Sequence, residues 1–340
     1  MFGTILDMSA EKKILLSGVK PTGRPHIGNY FGAMKQFVDL QNTYESYIMI
    51  ADFHDLGSQT PDELRENILN VAIDHLAIGL DPEKAVFFRQ SDVPEHTELA
   101  WIFNGVVTVP YLQRAHAYKD AVAKGKEPIM TLFSYPVLMA TDILMYDADV
   151  VPVGADQKQH IEYARDIAQK FNNVYGETFK LPEPLILESV ATVPGTDGQK
   201  MSKSYNNIIP LFASDEEIQK AVMGIITDSG TEEQADVAIK FVTHVEEFPK
   251  PVNLYLIHKL FRGENELVRL YSEKKQNYKE LKEILIDDIK DFITPLRERR
   301  EKIVRDPAHV LQVLKNGGER AREKAQLKMH EVRERVGLTL

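Results

Sequence analysis

The chain has 340 residues, 43% hydrophobic and 27% charged, a balance that suits a globular protein of about two domains and excludes a disordered or fibrous one. It contains no cysteine, which excludes disulfides, thiolate metal sites, iron–sulfur clusters and a cysteine nucleophile. A formal net charge of −10 argues against indiscriminate nucleic-acid binding, although residues 291–340 carry 12 Lys/Arg against 8 Asp/Glu, a mildly basic tail on an acidic body. Such a tail suits contact with a polyanion in one limited region, and equally a solvated helix face. The N-terminal MFGTILDMSAEKK lacks a basic stretch followed by a long apolar one, and no later run approaches roughly 18 uninterrupted apolar residues. We therefore expect a cytoplasmic protein with no membrane association.

In chain order, Ile14-Leu15-Leu16-Ser17-Gly18 reads as a strand, followed by the loop KPTGRPHIGNYFGA over residues 20–33 and by apolar residues at helical spacing from Ile27 to Leu40. The alternation repeats. Tyr47 to Ala51 reads as a strand, Pro61 to Ile78 as a helix with proline at its start, Ala85 to Phe88 as a strand and Glu95 to Phe103 as a helix. Val137 to Met145 is an apolar helical run, Asp149 to Gly154 a strand, and Asp156 to Phe171 a helix. Strands alternating with helices imply an α/β fold with a doubly wound parallel sheet, whose ligands bind outside the carboxyl ends of the strands. After Ser214 the pattern turns helical: Asp215 to Ile225, Val252 to Phe261, Glu264 to Tyr271 and Asn277 to Arg305. A helix from Ala308 to Leu314 should stop at Asn316-Gly317-Gly318, with a last helix from Glu319 to Val336. These readings divide the chain into an α/β domain over 1–213, an all-helical domain over 214–307, and C-terminal helices over 308–340 that can pack back on the first domain.

Two loops carry the candidate chemistry. Gly23 to Gly28 has the G-x-x-x-x-G spacing of a phosphate-cradling loop, but Asn29 and Tyr30 stand where that motif needs Lys and Ser/Thr. Its glycines allow close backbone approach, the helix start at Ile27 to Asn29 offers free N–H groups, and His26 and Asn29 add side-chain donors. Glycine and proline also build ordinary turns, and a lone histidine there also suits a surface position. The second loop, Gly198-Gln199-Lys200-Met201-Ser202-Lys203-Ser204, sets two lysines close enough to reach one polyphosphate; alone it also reads as a solvated turn. Asp142, inside the apolar run, is costly to bury without a hydrogen-bond donor, whether supplied by the protein or by a ligand.

Together, HIGN after the first strand and KMSKS after the last resemble the signatures of class I aminoacyl-tRNA synthetases, with HIGN where that family usually has HIGH. Within the family, VPVGADQKQH at 151–160, with RDIA at 165–168 and FN at 171–172, and YPVLMATDILMY at 135–146 look like the bacterial tryptophanyl branch. The resemblance runs from roughly Ile14 to Ser204 and weakly through Thr227-Asp228-Ser229 and residues 295–300. It implies a Rossmann-like catalytic domain and ATP-dependent joining of L-tryptophan to tRNA(Trp) in a homodimer, with Mg²⁺ accompanying ATP and no resident metal. It further implies that Asp142 accepts the indole N–H, that Tyr135 and Gln157 meet the ammonium group, and that Met139, Val151, Val153 and Gly18 wall the indole with His54 nearby. For ATP it implies Lys20, Pro21, Thr22, Gly28, Asn29, Gly154, Ala155, Asp156, Lys200, Met201, Ser202, Lys203 and Ser204. His26, Asn29, Lys200 and Lys203 would be the catalytic set. Lys20 stands where glutamine is frequent, Ala155 where an acidic residue is frequent, and Leu16 where an aromatic is frequent. The readings weighed beside it are a tyrosyl enzyme of the same fold, a small-molecule nucleotidyltransferase, and a catalytically silent RNA-binding paralogue. The first is disfavoured by the GADQKQH stretch. The second leaves KMSKS and the trailing helices unexplained, and the third leaves the intact signatures unexplained.

Overall fold

A computed structural model describes residues 12–125, 127–154, 158–186, 192–227, 251–274 and 277–340. Strands β1 (Ile14–Val19), β2 (Glu45–Ile50), β3 (Ala85–Arg89), β4 (Val150–Val153) and β5 (Glu183–Ile186) form one sheet in the order β3-β2-β1-β4-β5, with every pairing parallel. The first helix, α1, is composite: α-helical at Ile27–Asn29, π-helical at Tyr30–Met34 and α-helical again at Lys35–Leu40. The sequence pattern predicts an unbroken α-helix there. The wider π turn coincides with a packed aromatic group in which Tyr30 and Phe31 meet Phe292, and Phe31 meets Phe261. Helices α2 (Pro61–Ile78), α3 (Glu95–Phe103), α4 (Val109–Leu112), α5 (His116–Ala123), α6 (Met130–Leu144) and α7 (Lys158–Tyr175) follow. Helix α2 begins with a capping box in which Thr60 and Glu63 satisfy each other's backbone N–H groups.

Because successive strand residues face opposite ways, Leu16, Met49, Phe88 and Val151 join one core beneath α3, α6 and α7, while Leu15, Ile48, Phe87 and Val150 join another beneath α1 and α2. A third core unites the helical region, comprising α8 (Asp215–Met223), α9 (Val252–His258), α10 (Glu264–Glu273) and α11 (Tyr278–Val304). It also takes in Ile27 and Met34 of α1 and Val193, Met201 and Ile209. Among the described residues no helix is long and apolar enough to cross a membrane.

The last helix, α12, runs unbroken from Pro307 to Val336, so Gly317-Gly318 does not end a helix as its sequence suggests. The pair sits where α12 crosses the edge strand β3. A Cβ on Gly317 would lie 1.8 Å from the Phe87 carbonyl oxygen, and one on Gly318 would lie 2.8 Å from Asp92 Cβ. On one side of the crossing Val310, Val313 and Leu314 enter the α1–α2 core; on the other Ala321, Ala325, Met329 and Val332 enter the opposite core. The helix thus covers the sheet edge and staples both faces. Gly317→Ala should lower unfolding stability by about 3 kcal/mol, since the crossing must open to admit a methyl group. Urea denaturation checks this, and an effect near zero would show that α12 is not seated on Phe87.

Candidate active site

Strands β1 and β4 are neighbours, yet the chain leaves them toward opposite sides of the sheet, so a crevice opens outside their carboxyl ends. A cavity of about 630 Å³ lies there. Its wall includes Leu16, Gly18 and Lys20 from β1 and its loop, Val151, Val153 and Gly154 from β4, His54 after β2, and Tyr135, Met139 and Asp142 on α6. Every described residue that the resemblance implies for the tryptophan side is therefore gathered in one place. Ala155, Asp156 and Gln157 lie outside the described residues.

Asp142 is 3% exposed, and the protein itself supplies donors to it. Oδ1 lies 2.6 Å from Gln90 Nε2 and 2.7 Å from His96 Nδ1, while Oδ2 lies 2.7 Å from His54 Nε2. His96 Nε2 is in turn 2.7 Å from the Tyr146 hydroxyl. Burial alone raises the Asp142 pKa, but the charge and hydrogen bonds of His54 and His96 outweigh it and hold the carboxyl below its ordinary range. Oδ1 has two partners and Oδ2 one, so Oδ2 keeps one acceptor direction open. Gln90 and His96 did not emerge from the sequence. The available signal was position, since Gln90 follows β3 directly, at the strand end where a doubly wound sheet binds ligands.

A second cavity, about 140 Å³, shares Gly18 and Lys20 with the first and adds Thr22, Gly23, Asn29, Asp74, His75 and Lys203. Pro21 is buried beside it and accepts a hydrogen bond from Gln59 on its carbonyl. His26 and Asn29 form a reciprocal cap on α1: Asn29 N–H donates to His26 Nδ1 at 3.2 Å and His26 N–H donates to Asn29 Oδ1 at 3.0 Å. Burial, and then the Lys203 charge, lower the His26 pKa to about 4. With Nδ1 accepting, the ring is neutral at pH 7 and carries its proton on Nε2. Gly28 is required for this arrangement, because a Cβ there would lie 2.9 Å from His26 Nδ1 and 3.4 Å from Met201 Cβ.

The lysine loop comes to the first loop from across the sheet. Met201 N–H donates to the Val193 carbonyl, and the Met201 side chain is buried against Gly28 in the core of the helical region. Lys203 Nζ donates to the Thr22 carbonyl at 2.5 Å. Burial lowers the Lys203 pKa, and the Asp74 charge opposes that shift. Ser202 Oγ accepts the Ser204 N–H, capping the short turn Lys203–Tyr205. Lys200 and Ser204 are exposed, and Lys200 lines neither cavity.

His75, on α2 in the wall of the smaller cavity, donates from Nδ1 to the Val71 carbonyl, and burial lowers its pKa to about 4. The unfolded chain takes up this proton near pH 6.5 and the folded chain only near 4, so stability is fully present above 6.5 and declines as pH falls through that window. Between pH 7 and pH 5 the expected loss is about 2 kcal/mol from this residue. Urea denaturation at the two pH values should show a shallower pH dependence in His75→Gln by that amount; equal slopes would refute the assignment.

The family described as class I tRNA synthetases (W and Y) matches residues 8–294. The chain is 49% identical over 329 residues to a tryptophan–tRNA ligase of Fusobacterium nucleatum, an alignment covering 95% of this chain and 97% of that one. It is 44% identical to the corresponding ligase of Rhodopirellula baltica, covering 95% and 99%. Among solved structures it resembles a Campylobacter jejuni tryptophanyl-tRNA synthetase complexed with ADP and tryptophan, with a TM-score of 0.84, 41% identity and coverage of 95% and 99%.

Proposed function

Because the chain belongs to the class I tRNA synthetases of the tryptophan and tyrosine type, we propose that it joins L-tryptophan to tRNA(Trp), using ATP and passing through tryptophanyl-adenylate. The supporting observation is the pairing of the two cavities: an apolar one lined by an ionised, buried Asp142, sharing Gly18 and Lys20 with a smaller one lined by Lys203. An indole N–H directed at the open acceptor direction of Asp142 Oδ2 would complete the carboxylate's shell. A side chain unable to donate there would leave it incomplete, which is how such a site discriminates. Met139, Val151, Val153 and Gly18 would flank the indole, while Tyr135 and Gln157 would hold the ammonium group.

In the first step the tryptophan carboxylate attacks the α-phosphorus of ATP, the bond to the bridging oxygen breaks and pyrophosphate leaves in line. No protein nucleophile is required, and the residues serve alignment and charge. Lys203 and Lys200 would neutralise the departing pyrophosphate, and neutral His26 would donate from Nε2. Lys20, Pro21, Thr22, Gly28, Asn29, Gly154, Ala155, Asp156, Met201, Ser202 and Ser204 would complete the nucleotide site. Lys20 lines both cavities and donates to the His54 carbonyl at 3.2 Å, which would set it beside the point where the two substrates meet. Mg²⁺ would enter with ATP and screen its phosphates. In the second step a ribose hydroxyl of the terminal adenosine, the 2′-OH by class resemblance, takes the aminoacyl group and AMP leaves.

The proposal divides the chain as follows: residues 1–213 for activation, 214–307 for the tRNA anticodon, and 308–340 as helices returning to the first domain. A homodimer belongs to the same reading. Trp101, Val109 and Met130, on helices α3, α4 and α6, are 78%, 59% and 70% exposed and offer apolar surface for a second copy. A cytoplasmic location suits the cysteine-free composition. The experiment is pyrophosphate exchange into ATP with single amino acids. Tryptophan should support it; exchange with tyrosine instead would assign the chain to the tyrosyl branch.

A further inference from the structure

Three residues beyond the lysine loop stands Asn207, whose side chain is nearly inaccessible, at 2% exposure, although its neighbours Lys203 to Asn206 are all exposed. The loop backbone pairs on one side with residues 193–195, where Met201 N–H donates to the Val193 carbonyl and Gly195 N–H to the Gln199 carbonyl, and on the other side it finds its partners here. Asn207 Oδ1 accepts the Ser202 N–H at 2.8 Å, while Nδ2 donates to the Lys200 carbonyl at 3.2 Å and to Asp197 Oδ1 at 2.7 Å. The Asn207 carbonyl accepts the Thr196 N–H at 2.9 Å. One buried amide therefore ties together the entry to the loop, its two central peptide groups and its exit.

Two further features serve this contact. Asn206 adopts φ +52°, a left-handed conformation that asparagine tolerates, as the chain turns before Asn207. Gly195 leaves the space, since a Cβ there would lie 2.2 Å from Asn207 Nδ2. Without the amide, the Lys200 carbonyl and Ser202 N–H would lose these partners, and the loop would sample more conformations.

We propose that Asn207 is a positioning residue for amino-acid activation, fixing the backbone of Lys200 to Ser202 so that Lys203 is presented to the polyphosphate. This rests on the reading of the lysine loop as the pyrophosphate-facing element. It acts on ATP and not on tryptophan, whose cavity Asn207 does not line.

The test compares the full-length chain with Asn207→Asp, Asp197→Ala and the exchanged pair Asp197→Asn/Asn207→Asp, measuring pyrophosphate exchange with ATP and tryptophan varied separately. Asn207→Asp sets two carboxylates face to face and removes both donors. Its kcat/KM for ATP should fall about a hundredfold, with the tryptophan KM within about twofold of wild type. The exchanged pair restores one donor and one acceptor between these side chains and should recover about tenfold of that loss. If Asn207→Asp fails to bind tryptophan in calorimetry and is misfolded, Asp197→Ala decides, with an expected loss of about fivefold in kcat/KM for ATP. ATP kinetics within twofold of wild type in the deciding variant, or equal losses toward ATP and tryptophan, would overturn the proposal. A wild-type chain that shows no exchange with tryptophan would instead overturn the function on which it rests.

Discussion

Lys203→Ala should lower kcat for tryptophan-dependent pyrophosphate exchange by about a thousandfold, the scale expected when a preorganised charge facing a developing anion is removed. The residue is half-way to its task already. Its ammonium group is held on the Thr22 carbonyl of the opposite loop, at the wall of the smaller cavity where a phosphate would enter. Lys200, exposed and lining neither cavity, should cost less when changed to alanine. Tryptophan binding, measured without ATP, should be the same in wild type and Lys203→Ala. A loss of kcat below tenfold would remove Lys203 from the catalytic set.

Asp142→Ala should raise the tryptophan KM about a hundredfold while the KM for ATP changes less than twofold, because a hydrogen bond to a buried charge is being lost on one substrate only. A second effect follows from the geometry. Gln90, His96 and His54 all direct donors at this carboxylate, and truncation leaves them facing a void. Stability should therefore fall by about 3 kcal/mol, which urea denaturation reads independently of activity. An unaltered tryptophan dependence would refute the role given to Asp142. Unaltered stability would refute the coupling to the two histidines.

Much of this arrangement was legible in the sequence because it is periodic or local. The βα alternation places β1 to β4 on their apolar runs, and Pro61 marks a helix start by its own chemistry. The facing loops were legible only as a pair, since each alone also reads as an ordinary turn and the two signatures together carry the resemblance. What escaped was made by contact between distant segments. Nothing near Gln90 or His96 announces a partner that lies 52 or 46 residues away on another helix. The π turn at Tyr30–Met34 likewise has no local signature and coincides with aromatic packing from Phe261 and Phe292. Gly317-Gly318 misled for a physical reason. A glycine pair serves equally to turn a chain left-handed at a helix end and to let a helix lie close on a strand, and only the neighbouring strand decides which.

That crossing also sets an order of events in synthesis. The strands of the sheet lie between Ile14 and Ile186, but the helix that covers the β3 edge follows only at Pro307–Val336. Before Pro307–Val336 is made, Phe87 and Phe88 would lie on an uncovered strand edge, the kind of surface on which nascent chains associate wrongly. Until that crossing is seated the edge stays open to wrong pairing, so variants that loosen α12 should associate through β3 as well as lose stability.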